Sequence, residues 1–303
     1  MTDINTILGI TGKEQEQTQE EEKQFTVGIL GIGLIGGSFA KAYHAAGHKV
    51  LADDSDKQML AFAKISGAVD GELTRENYKD CDLILICVYP QASIDFLNQE
   101  GPYIGEHPIV IDCCGTKRVL TTAGMDAAEK YGFTFVGGHP MAGTQYAGFK
   151  HAKKDMYKGA PMVIVPPRRD DITLLMRIKE LLAPCGFKGI TVTYADKHDK
   201  MIAFTSQLAH VVSSAYIKSP TAGAHKGFSA GSYKDMTRVA WLNPEMWSEL
   251  FIENKDYLLH EIDTLMKNIT DIREALAAED REGLIKLLEE GKNCKKEIDG
   301  SVR

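Results

Sequence analysis

The stretch "VGILGIGLIGGSFAKAYHAAGHKVLADDSD" covers residues 27–56 and decides the fold of the first part of the chain. It consists of a short apolar run, a glycine cluster, a helix-like stretch, a second apolar run and three acids. Gly31, Gly33 and Gly36 follow the first run and open the helical stretch. In this strand–turn–helix context the spacing G-x-G-x-x-G predicts a dinucleotide-binding loop. The alternative is a glycine-rich turn that only packs tightly.

Each position of this loop has a physical role in binding a dinucleotide. The first glycine makes the tight turn, the second lets a pyrophosphate approach the backbone, and the third lets the helix pack on the strand. Leu34 and Ile35 open the helix, whose unpaired N–H groups face the phosphates. Asp54 follows the second apolar run and is predicted to accept hydrogen bonds from ribose hydroxyls, with Asp53 as the alternative. An acid repels a 2′-phosphate, so NAD is favoured over NADP.

Composition narrows the class of protein. The 303 residues suffice for two domains, and 44% hydrophobic and 25% charged residues are ordinary for a globular protein. The net charge of −7 argues against nucleic acid as a partner. The sequence contains neither an apolar run long enough to span a membrane nor a secretory signal, so a cytoplasmic protein is expected. Its irregularly spaced cysteines indicate reduced thiols rather than disulfides or a metal site.

The chain divides into three predicted segments. Residues 1–24 are polar and acidic, and they are predicted to be a mobile extension. Residues 25–193 alternate apolar strands with helical stretches, which predicts a Rossmann-type α/β domain with a doubly wound, mostly parallel sheet. The predicted strands are "FTVGIL", "HKVLAD", "CDLILICV", "HPIVIDCC", "FTFVGGHP" and "APMVIVPP".

Residues 194–303 are predicted to form an all-helical domain. Asn243 followed by Pro244 is typical of a helix start. Beyond them, apolar residues recur at helical intervals and predict one apolar stripe along a long helix. These residues are Phe251, Leu258, Ile262, Leu265, Ile269, Ile272 and Leu276. A stripe of this length needs a partner, so the domain is expected to form a homodimer.

Three further segments carry candidate chemistry. "GGHPMAG" holds His139 directly after a strand, where a neutral imidazole can accept a hydrogen bond from a substrate hydroxyl; alternatively, His139 bonds the backbone of a turn. Ser206 and His210 share one helical face, either as a buried polar pair or as donors facing a cleft between the domains. Arg238 either clamps a substrate carboxylate or forms a surface ion pair.

Five segments resemble the prephenate dehydrogenase family in the same order. They are "GILGIGLIGGSFAKA", "VIDCCGTKR", "GGHPMAGTQYAGF", "FTSQLAHVVSSA" and "DMTRVAWLNPEMWSELFIENK", and the resemblance spans residues 25 to about 280. It implies that His139 is the catalytic histidine and that Arg238 binds the ring carboxylate of the substrate. It also implies that His210 and Ser206 line the substrate or inhibitor site and that Trp247 lies near that site, so all three are candidate substrate-binding residues.

The segment "DCCGTK" departs from the family pattern. Relatives often have serine where this chain has Gly115, and the serine hydroxyl bonds the catalytic histidine or the substrate. Thr116 or a water molecule is expected to take its place, so Thr116 is a candidate substrate-binding residue. Lys117 matches the family.

The resemblance implies NAD-dependent oxidative decarboxylation of prephenate to 4-hydroxyphenylpyruvate, a step of tyrosine biosynthesis. Arogenate is the alternative substrate. Two other hypotheses are a dehydrogenase of the 3-hydroxyacid type and a non-catalytic NAD-binding sensor dimer. The first needs a lysine base in the helical domain, where "TSQLAH" offers histidine. The second is disfavoured by the presence of both His139 and Arg238 and slightly favoured by Gly115.

Overall fold

The structure is a computed structural model that describes residues 24–144 and 146–300. The predicted mobile extension, residues 1–24, lies outside the described residues except for Gln24. Within the described ranges, the strands end at Val192, and only helices and their connections follow from Ala195 onward.

The first part of the chain forms one eight-stranded sheet. Its strands are β1 Thr26–Leu30, β2 Lys49–Asp53, β3 Gly71–Glu72, β4 Leu83–Ile86, β5 Ile109–Asp112, β6 Thr134–Pro140, β7 Pro161–Val165 and β8 Gly189–Val192. They lie in the order β3-β2-β1-β4-β5-β6-β7-β8. Every neighbouring pair is parallel except β6 with β7. The predicted Rossmann-type, mostly parallel sheet is confirmed.

Helices cover both faces of this sheet. They are α1 Leu34–Ala45, α2 Lys57–Ile65, α3 Pro90–Ile104, α4 Arg118–Tyr131 and α5 Ile172–Leu182. Leu85 of β4 joins a hydrophobic cluster that contains Phe39 of α1. The next residue, Ile86, points to the other face and joins the cluster that contains Phe96 of α3. A strand buried on both faces is apolar at consecutive positions. Because such strands form continuous apolar runs, the sequence predicted them.

Two strands were not predicted, and both lie at an edge of the sheet. β3 has only two residues, and β8 has mostly exposed side chains. A short or exposed edge strand lacks the apolar run that identifies a buried one.

The second part of the chain is helical, as predicted. Its elements are α6 Ala195–Ile202, a π-helical turn Ala203–Gln207, α7 Leu208–Tyr216, α8 Gly231–Thr237, α9 Pro244–Glu253, α10 Lys255–Ala277 and α11 Arg281–Asp299. The side chain of Asn243 accepts the backbone N–H groups of Glu245 and Met246 at 3.0 and 3.2 Å, so it caps α9 as predicted. Among the described helices, none combines the length and apolar character needed to cross a membrane.

The predicted single long helix is instead two helices. α9 ends at Glu253 and α10 begins at Lys255, with Asn254 between them at φ −112° and ψ 24°. The buried amide of Asn254 donates to the carbonyl oxygen of Asp199 at 2.8 Å and to Oε1 of Gln207 at 2.7 Å. These bonds hold Asn254 against α6 and the π turn. The prediction was wrong here because the apolar stripe continues through the break.

Candidate active site

The glycine loop between β1 and α1 has the shape that a pyrophosphate site needs. Gly31 adopts φ +88°, and a Cβ on Gly36 would lie 1.9 Å from the carbonyl oxygen of Gly31. The helix therefore packs against the turn at a distance that only glycine allows. At Gly33, no heavy atom from elsewhere in the described chain lies within 4 Å of the position of a Cβ. Space is thus open where Leu34 and Ile35 begin α1 and its N–H groups lack helical partners.

Asp54 lies against this loop. Its carboxylate accepts the backbone N–H of Ile32 at 2.6 Å and that of Asp56 at 2.8 Å. The carboxylate of Asp53 instead pairs with the ammonium of Lys57 at 2.6 Å. Of the two candidate acids, Asp54 is therefore the one whose carboxylate contacts the glycine loop, whereas Asp53 accepts the N–H of Gly31 through its main-chain carbonyl oxygen at 2.8 Å.

His139 takes part in a chain of hydrogen bonds across the two parts of the protein. It lies near the end of β6, partly buried, at the edge of the sheet where the parallel strands β1, β4 and β5 also end. Its Nδ1 is 2.9 Å from Nε2 of His198. Nδ1 of His198 is in turn 2.7 Å from Oδ1 of Asp199. His198 and Asp199 belong to α6, so the helical part completes the surroundings of His139.

The electrostatics favour neutral histidines beside a charged carboxylate. Burial lowers the pKa of His139 well below its usual range, and His198 and Lys117 lower it further. Burial also lowers the pKa of His198, although Asp199 opposes this effect. For Asp199, burial favours the neutral form, but hydrogen bonds from His198 and from the backbone N–H of Arg118 outweigh it and lower the pKa.

Asp199 is fixed by the start of α4. Its carboxylate accepts the backbone N–H of Lys117 at 2.7 Å and that of Arg118 at 2.8 Å. The guanidinium of Arg118 continues across the junction to the carboxylate of Asp256 at 2.7 Å and to Oδ1 of Asn254 at 2.9 Å. An acid from the helical part therefore satisfies N–H groups that the start of a helix would otherwise leave unpaired.

A buried ion pair lies beneath His139. The side chains of Lys117 and Asp112 are fully buried and hydrogen-bonded to each other. Asp112 also accepts the backbone N–H of Gly138 at 3.1 Å and that of Cys114 at 3.0 Å. Since Gly138 immediately precedes His139, this pair ties the end of β5 to the strand that carries the histidine.

Thr116 faces the helical part. Its buried hydroxyl donates to the carboxylate of Glu253, whose pKa is raised by burial, with smaller contributions from nearby acids. A Cβ on Gly115 would lie 3.3 Å from Cδ1 of Leu250. Among the described residues, no hydrogen bond joins Thr116 to His139. The predicted role of Thr116 at the substrate stays a prediction.

The remaining predicted residues form a second group in the helical part. His210 stacks on Trp247 with ring centroids 3.7 Å apart, and its Nδ1 lies 2.9 Å from the main-chain carbonyl oxygen of Ser206. Burial lowers the pKa of His210, and the charge of Arg238 lowers it further. Arg238 is exposed, and within the described ranges no ion pair joins it to an acid, which disfavours the alternative prediction of a surface ion pair. No hydrogen bond or ring contact of the described chain joins this group to His139.

The sequence did not reveal His198, Asp199 or Glu253 as site residues. His198 and Asp199 lie in "DKHDKM", where charged residues are expected on a solvated helix face. The only signal was the adjacent histidine and acid at the start of the helical segment. Glu253 lies in "ENK", at the unforeseen end of α9.

A Rossmann-type glycine loop, together with a histidine whose hydrogen-bonded partners come from a helical second part, is typical of a two-domain, dinucleotide-dependent dehydrogenase. Two family models match the chain. The model described as "Prephenate dehydrogenase, nucleotide-binding domain" matches residues 39–191, and the one described as "Prephenate dehydrogenase, dimerization domain" matches residues 194–290. The chain belongs to the prephenate dehydrogenase family, as the resemblance of its motifs predicted.

Two curated relatives and one solved structure extend this similarity along most of the chain. Prephenate dehydrogenase from Bacillus subtilis is 27% identical over 278 residues, which are 88% of this chain and 74% of that protein. Cyclohexadienyl dehydrogenase from Zymomonas mobilis is 25% identical over 279 residues, 89% of this chain and 94% of that protein. The structure of A. aeolicus prephenate dehydrogenase with hydroxyphenyl propionate and NAD+ has a TM-score of 0.78 at 27% identity, and the match covers 91% of this chain and 99% of that one.

Proposed function

We propose that this protein catalyses the NAD-dependent oxidative decarboxylation of prephenate to 4-hydroxyphenylpyruvate. The observation that carries the proposal is His139, whose lowered pKa keeps it neutral, at the edge of the sheet that also holds the glycine loop. A neutral imidazole there can accept a hydrogen bond from a substrate hydroxyl beside the cofactor. The names of the Bacillus subtilis and A. aeolicus relatives support prephenate as the substrate.

The glycine loop fits NAD. The open space at Gly33 and the close approach of Gly36 to the turn suit a pyrophosphate at the start of α1, with the N–H groups near Leu34 and Ile35 as donors. Asp54 would accept the ribose hydroxyls, and its negative charge would repel a 2′-phosphate. When bound, NAD supplies the acceptor for the hydride.

The helical part supplies the groups that bind the substrate. The exposed guanidinium of Arg238 is the proposed partner of the ring carboxylate, since a guanidinium binds a carboxylate bidentately. The stacked rings of His210 and Trp247 offer a flat surface beside it. Ser206 and Thr116 are the remaining proposed contacts.

The proposed reaction assigns one task to His139. When hydride leaves the hydroxyl-bearing ring carbon, positive charge develops on that carbon and its oxygen. Neutral His139 stabilises this charge by accepting the hydrogen bond of the hydroxyl. The bond from the ring to its carboxylate then breaks, carbon dioxide leaves, and the electron pair completes the aromatic ring while the phenol oxygen keeps its proton.

The active protein is proposed to be a homodimer of two-domain chains divided near residue 193. The matched dimerization domain supports this assembly. Several large apolar side chains of α10 are more than half exposed in a single chain and would face the second copy. They are Leu259, Met266, Ile269 and Leu276.

Absorbance at the reduced-nicotinamide band tests the reaction. Reduction of NAD on adding prephenate, with slower reduction of NADP, is the expected result. Reduction with arogenate alone would keep the mechanism and replace the substrate. If neither compound reduces NAD while calorimetry shows that NAD binds, the protein is a sensor rather than an enzyme.

A further inference from the structure

We propose that His198 and Asp199 are positioning residues that fix the tautomer of His139, so that its Nε2 carries the lone pair directed to the substrate hydroxyl. This inference rests on the proposed function of His139. It is carried by the two ring contacts of 2.9 and 2.7 Å that link His139 through His198 to Asp199.

The assignment starts at Asp199. Its two carboxylate oxygens accept backbone N–H groups from Lys117 and Arg118 at 2.7 and 2.8 Å, so the group acts as an acceptor. A carboxylate 2.7 Å from Nδ1 of His198 requires a hydrogen on that nitrogen, because two lone pairs would repel each other at this distance. His198 is therefore the Nδ1–H tautomer.

The constraint passes from His198 to His139. A neutral His198 with hydrogen on Nδ1 has a lone pair on Nε2. Nδ1 of His139 lies 2.9 Å from that lone pair and must donate its own hydrogen. Neutral His139 then has a free lone pair on Nε2, the nitrogen that can accept from a substrate. The negative charge of Asp199 also strengthens His139 as an acceptor for the substrate hydroxyl, where positive charge develops.

The series of hydrogen bonds from His139 through His198 ends at Asp199, which lies in the contact between the two parts of the protein. Asp199 is held by the first N–H groups of α4, whereas His198 precedes it on α6. The tautomer of His139 is therefore defined only while α6 is docked on α4.

Variants of His198 separate positioning from general structure. His198→Gln keeps an oxygen that can accept the hydrogen of His139, whereas His198→Leu has a similar size and no acceptor. We expect kcat to fall about 100-fold in His198→Leu, the lower range for loss of one oriented hydrogen-bonding group in the transition state, and no more than about tenfold in His198→Gln. KM for substrate and NAD is expected to stay within about threefold, since neither variant removes a proposed binding group. His107→Gln, at an exposed histidine, is the matched control and should behave as wild type.

A second measurement determines the tautomers of His139 and His198 directly and does not depend on catalytic activity. Nitrogen-15 NMR of the nine labelled histidines, assigned from signals lost in His139→Gln and His198→Gln, should show hydrogen on Nδ1 of both residues. Asp199→Asn should weaken this preference, and in other enzymes a wrong histidine tautomer lowers kcat by about 10⁴-fold.

Two outcomes would overturn the inference: hydrogen on Nε2 of His139 in the wild-type protein, or equal kcat in folded His198→Gln and His198→Leu. If His198→Leu fails to fold, the nitrogen-15 spectrum of the wild-type protein alone tests the inference, since it shows which nitrogen of His139 carries the hydrogen. If the wild-type protein turns over neither prephenate nor arogenate, the proposed function fails, and the spectrum still decides whether the histidine chain has this order.

Discussion

Replacing Gly36 with alanine tests whether the glycine loop binds the cofactor. The new Cβ would lie 1.9 Å from the carbonyl oxygen of Gly31, whereas ordinary contact begins at 3.4 Å. The start of α1 must therefore move by about 1.5 Å, which is enough to break hydrogen bonds of about 2.9 Å to a pyrophosphate. A hydrogen bond to a charged group contributes about 1.5–3 kcal/mol. Losing one raises Kd for NAD by about 10- to 100-fold.

The assay is calorimetric titration with NAD, together with thermal unfolding of the free protein. Gly36→Ala should weaken binding and also lower the unfolding temperature, because the clash exists without cofactor. Gly33→Ala meets no atom of the described chain and should weaken binding alone. Gly291→Ala, on an exposed helix, is the control that should leave NAD affinity unchanged. Wild-type affinity in Gly36→Ala would refute the assignment of this loop.

Three further predictions concern the proposed substrate-binding arginine, the proposed catalytic histidine and the buried ion pair beneath it. Arg238→Ala should raise KM for prephenate by about 10- to 100-fold with little change in kcat, because it removes a charged hydrogen bond made before and during the reaction; an unchanged KM contradicts this role. Since burial lowers the pKa of His139 well below its usual range, kcat/KM should stay level through pH 7 and begin to fall, tenfold per unit, only well below about pH 6.5; a profile that already falls near pH 6.5, the ordinary value for histidine, contradicts a neutral, buried His139. Lys117→Met should cost about 3–5 kcal/mol in urea unfolding because it leaves Asp112 charged and unpaired, and adding Asp112→Asn should restore part of the loss.

The nucleotide-binding half was predictable because its signals are local. Buried parallel strands are apolar at successive positions, and the glycine loop has a fixed spacing between a strand and a helix. Each of these features can be recognised within about ten residues of sequence. The edge strands β3 and β8 escaped prediction for the opposite reason, since hydrogen bonds to a neighbouring strand define them more than their own side chains do.

The surroundings of His139 were only half predictable. The histidine itself follows a strand and stands out, but its partner His198 lies 59 positions further along and in the other part of the chain. Spacing in the sequence does not reveal such a contact. The break at Asn254 escaped prediction for a related reason, because a buried amide bonded to Asp199 and Gln207 ends the helix without any glycine or proline.

The contacts of Asp199 and Arg118 join the nucleotide-binding part to the helical part and also orient His139. The packing of the two parts and the catalytic activity are therefore expected to depend on one another. Asp199 holds the start of α4 and the ring of His198, while Arg118 holds Asp199 and the carboxylate of Asp256 at the start of α10. A change that loosens Arg118 therefore reaches His139 through hydrogen bonds rather than through space. The nucleotide-binding part alone would keep its glycine loop but lose the acceptor that orients its histidine, so it should bind NAD without oxidising prephenate.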